Sequence, residues 1–127
     1  MKIKITAALL SLAAGIIHGM FIQEHFQEWW GYGSFFLLAT IAQVLYAVLL
    51  VVPMQKPLDR TLYTSGIFGN LTIIVLWAIT RTMGIPFFGP GAGEIEEITF
   101  LSVLSVILEI ILIGCFLVLL RREKIKA

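Results

Sequence analysis

The chain has 127 residues, of which 59% are hydrophobic and 13% charged, and a mean hydropathy of +0.97. A soluble domain of this length has too little interior to hide so much apolar surface. The nine basic residues, in small groups that leave a net charge of +1, form no nucleic-acid-binding patch. The lone Cys115 excludes an intramolecular disulfide and CxxC chemistry, and suits small apolar packing.

Four apolar segments, 5–22, 31–52, 61–80 and 98–120, each approach the roughly 20 residues that a helix needs to cross a bilayer. Only Glu109 carries a formal charge inside any of them. The sequence therefore predicts an all-α, antiparallel bundle of four transmembrane helices, at about 5–28, 31–52, 61–82 and 95–120, in one domain spanning 1–127. Lys2 and Lys4 precede the first segment, Lys56 and Arg60 lie between the second and third, and Arg121, Arg122, Lys124 and Lys126 follow the fourth. Of the nine basic residues only Arg81 falls at the other end, so both termini are expected to be cytoplasmic in a multi-pass cell-membrane protein.

The first segment, with two lysines ahead of an apolar run and small residues at Ala13-Ala14-Gly15, also fits a signal peptide; we take it as the first span. Ser11, Gly15 and Gly19 recur every four residues, a pattern that admits close helix approach within the chain or to a second copy. His18 shares their face, where an imidazole is expected to be satisfied inside the bundle. The turn that follows, QEHFQEWWGYG, carries His25, Glu24 and Glu28. Its Trp29, Trp30 and Tyr32 suit an interfacial belt, and Gly31 and Gly33 suit the chain reversal.

The second span is free of charge and holds Gln43 near its middle, with Pro53 and Pro57 expected to end it. In the third, Gly66 and Gly69 suggest close packing and Asn70 lies near mid-depth. Arg81 stands at the outer end, as an interfacial anchor or the partner of an outer glutamate. The loop RTMGIPFFGPGAGEIEE, with Ile85, Phe87 and Phe88 between glycines and prolines, is too apolar to float in water and is expected to cap the bundle. Glu94, Glu96 and Glu97 are expected to open the fourth helix, complementing its dipole. That helix carries Ser102, Ser105 and Glu109 on one face. With no basic side chain foreseen at its depth, Glu109 is expected to be protonated and to donate to Gln43 or Asn70.

Arranged by depth, Gln43, Asn70 and Glu109 fall near mid-membrane, with His18, Ser102 and Ser105 further out and Arg81 and Glu94 at the outer mouth. The expected result is a polar funnel above an apolar cytoplasmic half. His25 and Glu28, spaced i, i+3, with Glu24 and Glu97, offer an outer set of imidazole and carboxylate ligands suited to Zn(II) or Cu(II). His18 and His25 lie about 10 Å apart along one helix, which excludes a single-chain bis-His haem.

The strings GIIH, EHFQEWWGYGSFF and RTMGIPFFGPGAGEIEE resemble those of small prokaryotic four-helix integral membrane proteins. The resemblance covers most of the chain and implies the fold but no activity. The pattern departs from small multidrug transporters, whose membrane glutamate lies in the first helix. It also departs from vitamin K epoxide reductase-like proteins, which need paired cysteines. No Walker A, HExxH or nucleophile-elbow pattern is present, so an independent enzyme is not expected. Three readings remain: a metal-binding or redox-associated protein using the outer His/Glu/Arg cluster; a non-catalytic subunit of a larger membrane complex, or a homo-oligomer joined through Ser11, Gly15 and Gly19; and a proton- or cation-coupled carrier using His18 and Glu109.

Overall fold

The computed structural model of the chain describes residues 2–52, 56–84, 89–90 and 93–126. Its helices are α1 (Lys2–Met20), α2 (Ile22–Glu28), α3 (Trp30–Val51), α4 (Lys56–Thr82) and α5 (Phe100–Lys126). Four stretches are long and apolar enough to cross a membrane: Lys2–Glu28, formed by α1 and α2 together, Trp30–Val51, Leu58–Thr82 and Phe100–Glu123. The chain is an antiparallel four-helix membrane bundle. Leu9, Ile16, Leu38, Leu45, Phe68 and Leu117 point outward on its flanks, as side chains facing lipid must.

The order of packing follows from where small residues lie. α1 is central, seated against α3 on one side and α5 on the other, and α5 in turn packs on α4. No comparable packing joins α3 to α4 among the described residues. On the α1–α3 seam, a methyl group added at Gly15 would lie 3.3 Å from both Gln43 Cβ and Val44 Cγ2, and one at Gly19 would lie 3.5 Å from Thr40. Ser11 Oγ donates to the Gln43 carbonyl at 2.6 Å. The Ser11, Gly15 and Gly19 stripe is therefore filled by α3 of the same chain.

At the end of the bundle that holds both termini, Ala7, Ala8, Leu50, Leu62, Tyr63, Leu112, Phe116 and Leu119 form the buried core. Gly66 lets the Phe116 ring approach α4, and that ring stacks with Tyr63 at 6.2 Å between centroids. This half is not purely apolar, as the sequence suggests it should be. Asp59 is buried there, with Lys4 Nζ 3.9 Å from its Oδ2 and 6.0 Å above the Tyr63 ring. The lysine stem reaches in from the helix end and delivers its charge to Asp59, with Glu123 also near it.

The opposite, distal end departs from regular helix at three places. The first span breaks at Phe21, whose N–H bonds the His18 carbonyl three residues back at 3.2 Å, tightening one turn between α1 and α2. The reversal into α3 is made by the extended backbone of Trp29. Gly31 and Gly33, expected to supply that turn, are instead helical residues of α3 whose missing side chains make room for the rings of Trp29 and Phe26. α4 ends in a left-handed glycine: Gly84, at φ 75°, bonds back to the Ile79 carbonyl at 2.9 Å, a conformation that a Cβ disfavours.

Two further boundaries differ from the sequence reading. α3 ends at Val51, and Pro57 lies inside the first turn of α4 rather than terminating α3; a proline there forgoes an N–H that the helix would leave unpaired anyway. α5 begins at Phe100 rather than at about residue 95. Glu94, Glu96 and Glu97 therefore precede the helix instead of opening it, and the Glu96 N–H bonds the Thr80 carbonyl at 2.7 Å, holding this segment along the end of α4. The expected apolar cap at Ile85, Phe87 and Phe88 lies outside the described residues, as does Pro53.

Candidate functional site

Because α3 and α4 stand apart while α1 and α5 remain packed, the distal half of the bundle encloses a cavity of about 670 Å³. α1 and α2 contribute His18, Phe21, Glu24, His25 and Glu28 to its wall. α3 contributes Tyr32, Phe35 and Phe36, and α4 contributes Ile73, Leu76, Trp77, Thr80 and Arg81. The segment before α5 adds Glu94, Glu96 and Glu97, and α5 adds Ser102, Ser105 and Val106. The walls are mostly aromatic and aliphatic, and the mouth is acidic.

The floor is built from three helices. His18 is 6% exposed and Gln43 5%. His18 Nδ1 lies 2.9 Å from the Ala14 carbonyl and 2.8 Å from Gln43 Oε1. A backbone carbonyl only accepts, so Nδ1 carries the hydrogen and Nε2 is the nitrogen with the free lone pair in the neutral ring. Nε2 points toward Glu109, 3.8 Å from its Oε1. Glu109 is 0% exposed, and neither of its carboxyl oxygens has a hydrogen-bond partner.

This arrangement revises the expected polar core. His18 is not displaced outward from Glu109 but is the titratable group beside it, because the α1–α5 packing brings the two to the same depth. Gln43 spends its carbonyl on His18, and its Nε2 makes no hydrogen bond. Asn70 does not reach across the bundle: its Nδ2 donates to the Gly66 carbonyl one turn back at 2.8 Å. Of the two partners expected for Glu109, Gln43 is its neighbour and Asn70 is not. Ser105 donates to the Ser102 carbonyl at 2.9 Å, and both serines line the cavity.

At the mouth, Arg81 pairs with Glu96 at 3.4 Å, donates to Thr80 Oγ1 at 2.8 Å and lies 5.5 Å from the Trp77 ring. Of the two alternatives for Arg81, partnership with a glutamate is the one found. The other expected mouth residue, Glu94, is an exposed part of the cavity wall. Its neighbour Glu96, rather than Glu94, holds the guanidinium because its backbone is tied to Thr80.

The outer ligand set does not assemble. Among the described residues no group of three or more His, Cys, Asp or Glu side chains is placed to hold a metal ion. His25 Nδ1 bonds its own helix at the Phe21 carbonyl, 2.8 Å away, and its ring stacks on Phe36 at 3.8 Å between centroids. Short helix α2 thus presents His25 to an aromatic wall, and the metal centre expected from His25, Glu24, Glu28 and Glu97, with Zn or Cu bound, is withdrawn.

The sequence places Phe36 on the Gln43 side of the second span but does not signal that it touches both His18 and His25; sequence reasoning also passed over Thr99, which caps α5. The Phe36 contact had no local signal, since it depends on how α3 packs against α1 and α2. Thr99 was legible as a Thr-x-x-Ser box ahead of an apolar run. Comparison of the chain with protein-family models, curated proteins and solved structures finds no match.

Proposed function

We propose that this protein is a small carrier in which a solute held in the distal cavity is coupled to a proton shared by His18 and Glu109. The observation that carries the reading is the fully buried Glu109 carboxyl, 3.8 Å from Nε2 of a histidine that lines the cavity. Such a group is costly within a membrane and marks an ion or proton path by default. Its neighbours are the Gln43 amide, which does not titrate, and His18, which exchanges protons.

The fixed Nδ1–H leaves Nε2 as the site of proton gain and loss. With one proton between them the pair is neutral overall, either as carboxylic acid beside imidazole or as carboxylate beside imidazolium. A proton therefore moves between Nε2 and Oε1 without changing net charge in the membrane, while a second proton or its loss leaves a charge at the cavity floor. The basic residues flanking the terminal end support an orientation with both termini cytoplasmic and the cavity mouth outside.

Infrared difference spectra of proteoliposomes, taken across a step in external pH, test the proton path. The carboxylic-acid carbonyl band assigned by Glu109→Gln should respond to the step together with His18 ring bands. His18→Gln, in protein that stays monodisperse, should slow the response by about tenfold or more. A Glu109 band indifferent to external pH over the folded range would return His18 and Glu109 to a structural role and favour the assembly-subunit alternative.

A further inference from the structure

Building on the carrier reading, we infer that the cavity takes an amphipathic amine: one protonated nitrogen on an aromatic or aliphatic body. Size permits a small organic solute, since about 670 Å³ falls in the range of pockets that enclose such ligands. The body of the ligand has its counterpart in Phe21, Phe35, Phe36, Ile73 and Leu76. These side chains offer dispersion and hydrophobic contact but no hydrogen bonds, so they favour a ligand with an apolar body.

Charge selects the head group. The cavity wall carries Glu24, Glu28, Glu94, Glu96 and Glu97 against the single cation Arg81. That cation is engaged by Glu96, Thr80 and the Trp77 ring, with only its Nε unpaired, and an anion meets several carboxylates opposing it. Acidic side chains around a mouth with apolar walls focus the field and raise the local concentration of cations. Ammonium groups also gain from aromatic faces, which α3 presents along the same wall as Glu24 and Glu28. The floor adds a titratable ring: His18, nine-tenths buried, lines the cavity with its Nε2 turned toward Glu109. An ammonium above the floor is tolerated by a neutral imidazole and repelled by an imidazolium. Amine and second proton therefore disfavour each other through charge, which couples their movements without contact between amine and Glu109.

Calorimetric titration of protein in lipid nanodiscs tests the ligand class with one body and three heads: 4-phenylbutylammonium, 4-phenylbutan-1-ol and 4-phenylbutyrate, each corrected with empty nanodiscs. The ammonium should bind at least about tenfold more tightly than the alcohol, and the carboxylate should bind more weakly still. The double change Glu24→Gln with Glu28→Gln should weaken ammonium binding by about tenfold, Leu76→Trp should abolish it by filling the cavity, and Glu123→Gln at the terminal end should leave it unchanged. Carboxylate bound as well as ammonium, ammonium bound no better than the alcohol, or ammonium affinity untouched by both cavity changes would overturn the inference. The two readings fail separately: an amine site with a Glu109 that ignores external pH removes the proton coupling alone, and an exchanging Glu109 without ammonium selectivity removes the ligand class alone.

Discussion

A single missing side chain decides how tightly the terminal half of the bundle packs. A methyl group at Gly66 would lie 2.6 Å from the Phe116 ring, which is itself fully buried, whereas one at Gly69 would meet nothing within 4 Å. Gly66→Ala should therefore force Phe116 aside and cost about 1–3 kcal/mol. Gly69→Ala, three residues away on the same helix, should be neutral or stabilising by less than about 1 kcal/mol, since alanine is the better helix former. Reversible unfolding in mixed detergent micelles measures both. Equal effects at the two positions would mean that the Gly66–Phe116 contact does not set the α4–α5 packing.

Among the elements, α5 is the helix whose beginning carries the most information. Thr99 Oγ1 accepts from the Ser102 N–H at 3.2 Å, and Ser102 Oγ accepts from the Thr99 N–H at 3.1 Å. This is a reciprocal capping box in which serine takes the place usually held by glutamate or glutamine. It starts the helix about five residues later than the sequence suggests and leaves Glu96 free to reach Arg81. Thr99→Ala should cost about 0.5–2 kcal/mol and speed hydrogen exchange at the amides of residues 100–103. Glu97→Gln should change stability by no more than about 0.5 kcal/mol. A loss at Glu97 as large as that at Thr99 would restore the helix-dipole reading of the acidic run.

For the whole molecule the decisive question is which side the cavity faces. In a Cys115→Ala background, Gln27→Cys lies on exposed α2 near the cavity mouth and Arg60→Cys lies on exposed backbone at the terminal end. A membrane-impermeant maleimide applied to intact cells should label the first and reach the second only after lysis. The reverse pattern would invert the orientation inferred from the basic residues and would present the cavity to the cytoplasm.

The sequence by itself determined the number of spans, their antiparallel order and the depth at which an ionisable group would be buried. Each follows from chain-local physics: the length of apolar runs against the thickness of a bilayer, and the cost of charge within it. It also singled out most of the polar side chains that line the cavity, because polar residues in such a chain are few. The tertiary structure decided which of them meet. That Glu109 meets His18 as well as Gln43, and not Asn70, depends on α1 being clamped between α3 and α5, a relation between helices that no helix encodes alone. That Ser11, Gly15 and Gly19 pack on α3 depends on the same arrangement, because a small-residue stripe specifies close approach but not the identity of what approaches. The failure of the outer glutamates and His25 to gather as ligands has the same root. Their spacing along the chain suits a metal, but α2 turns His25 onto Phe36 and the end of α4 draws Glu96 to Arg81, so the acidic side chains ring a cavity instead of converging on a point.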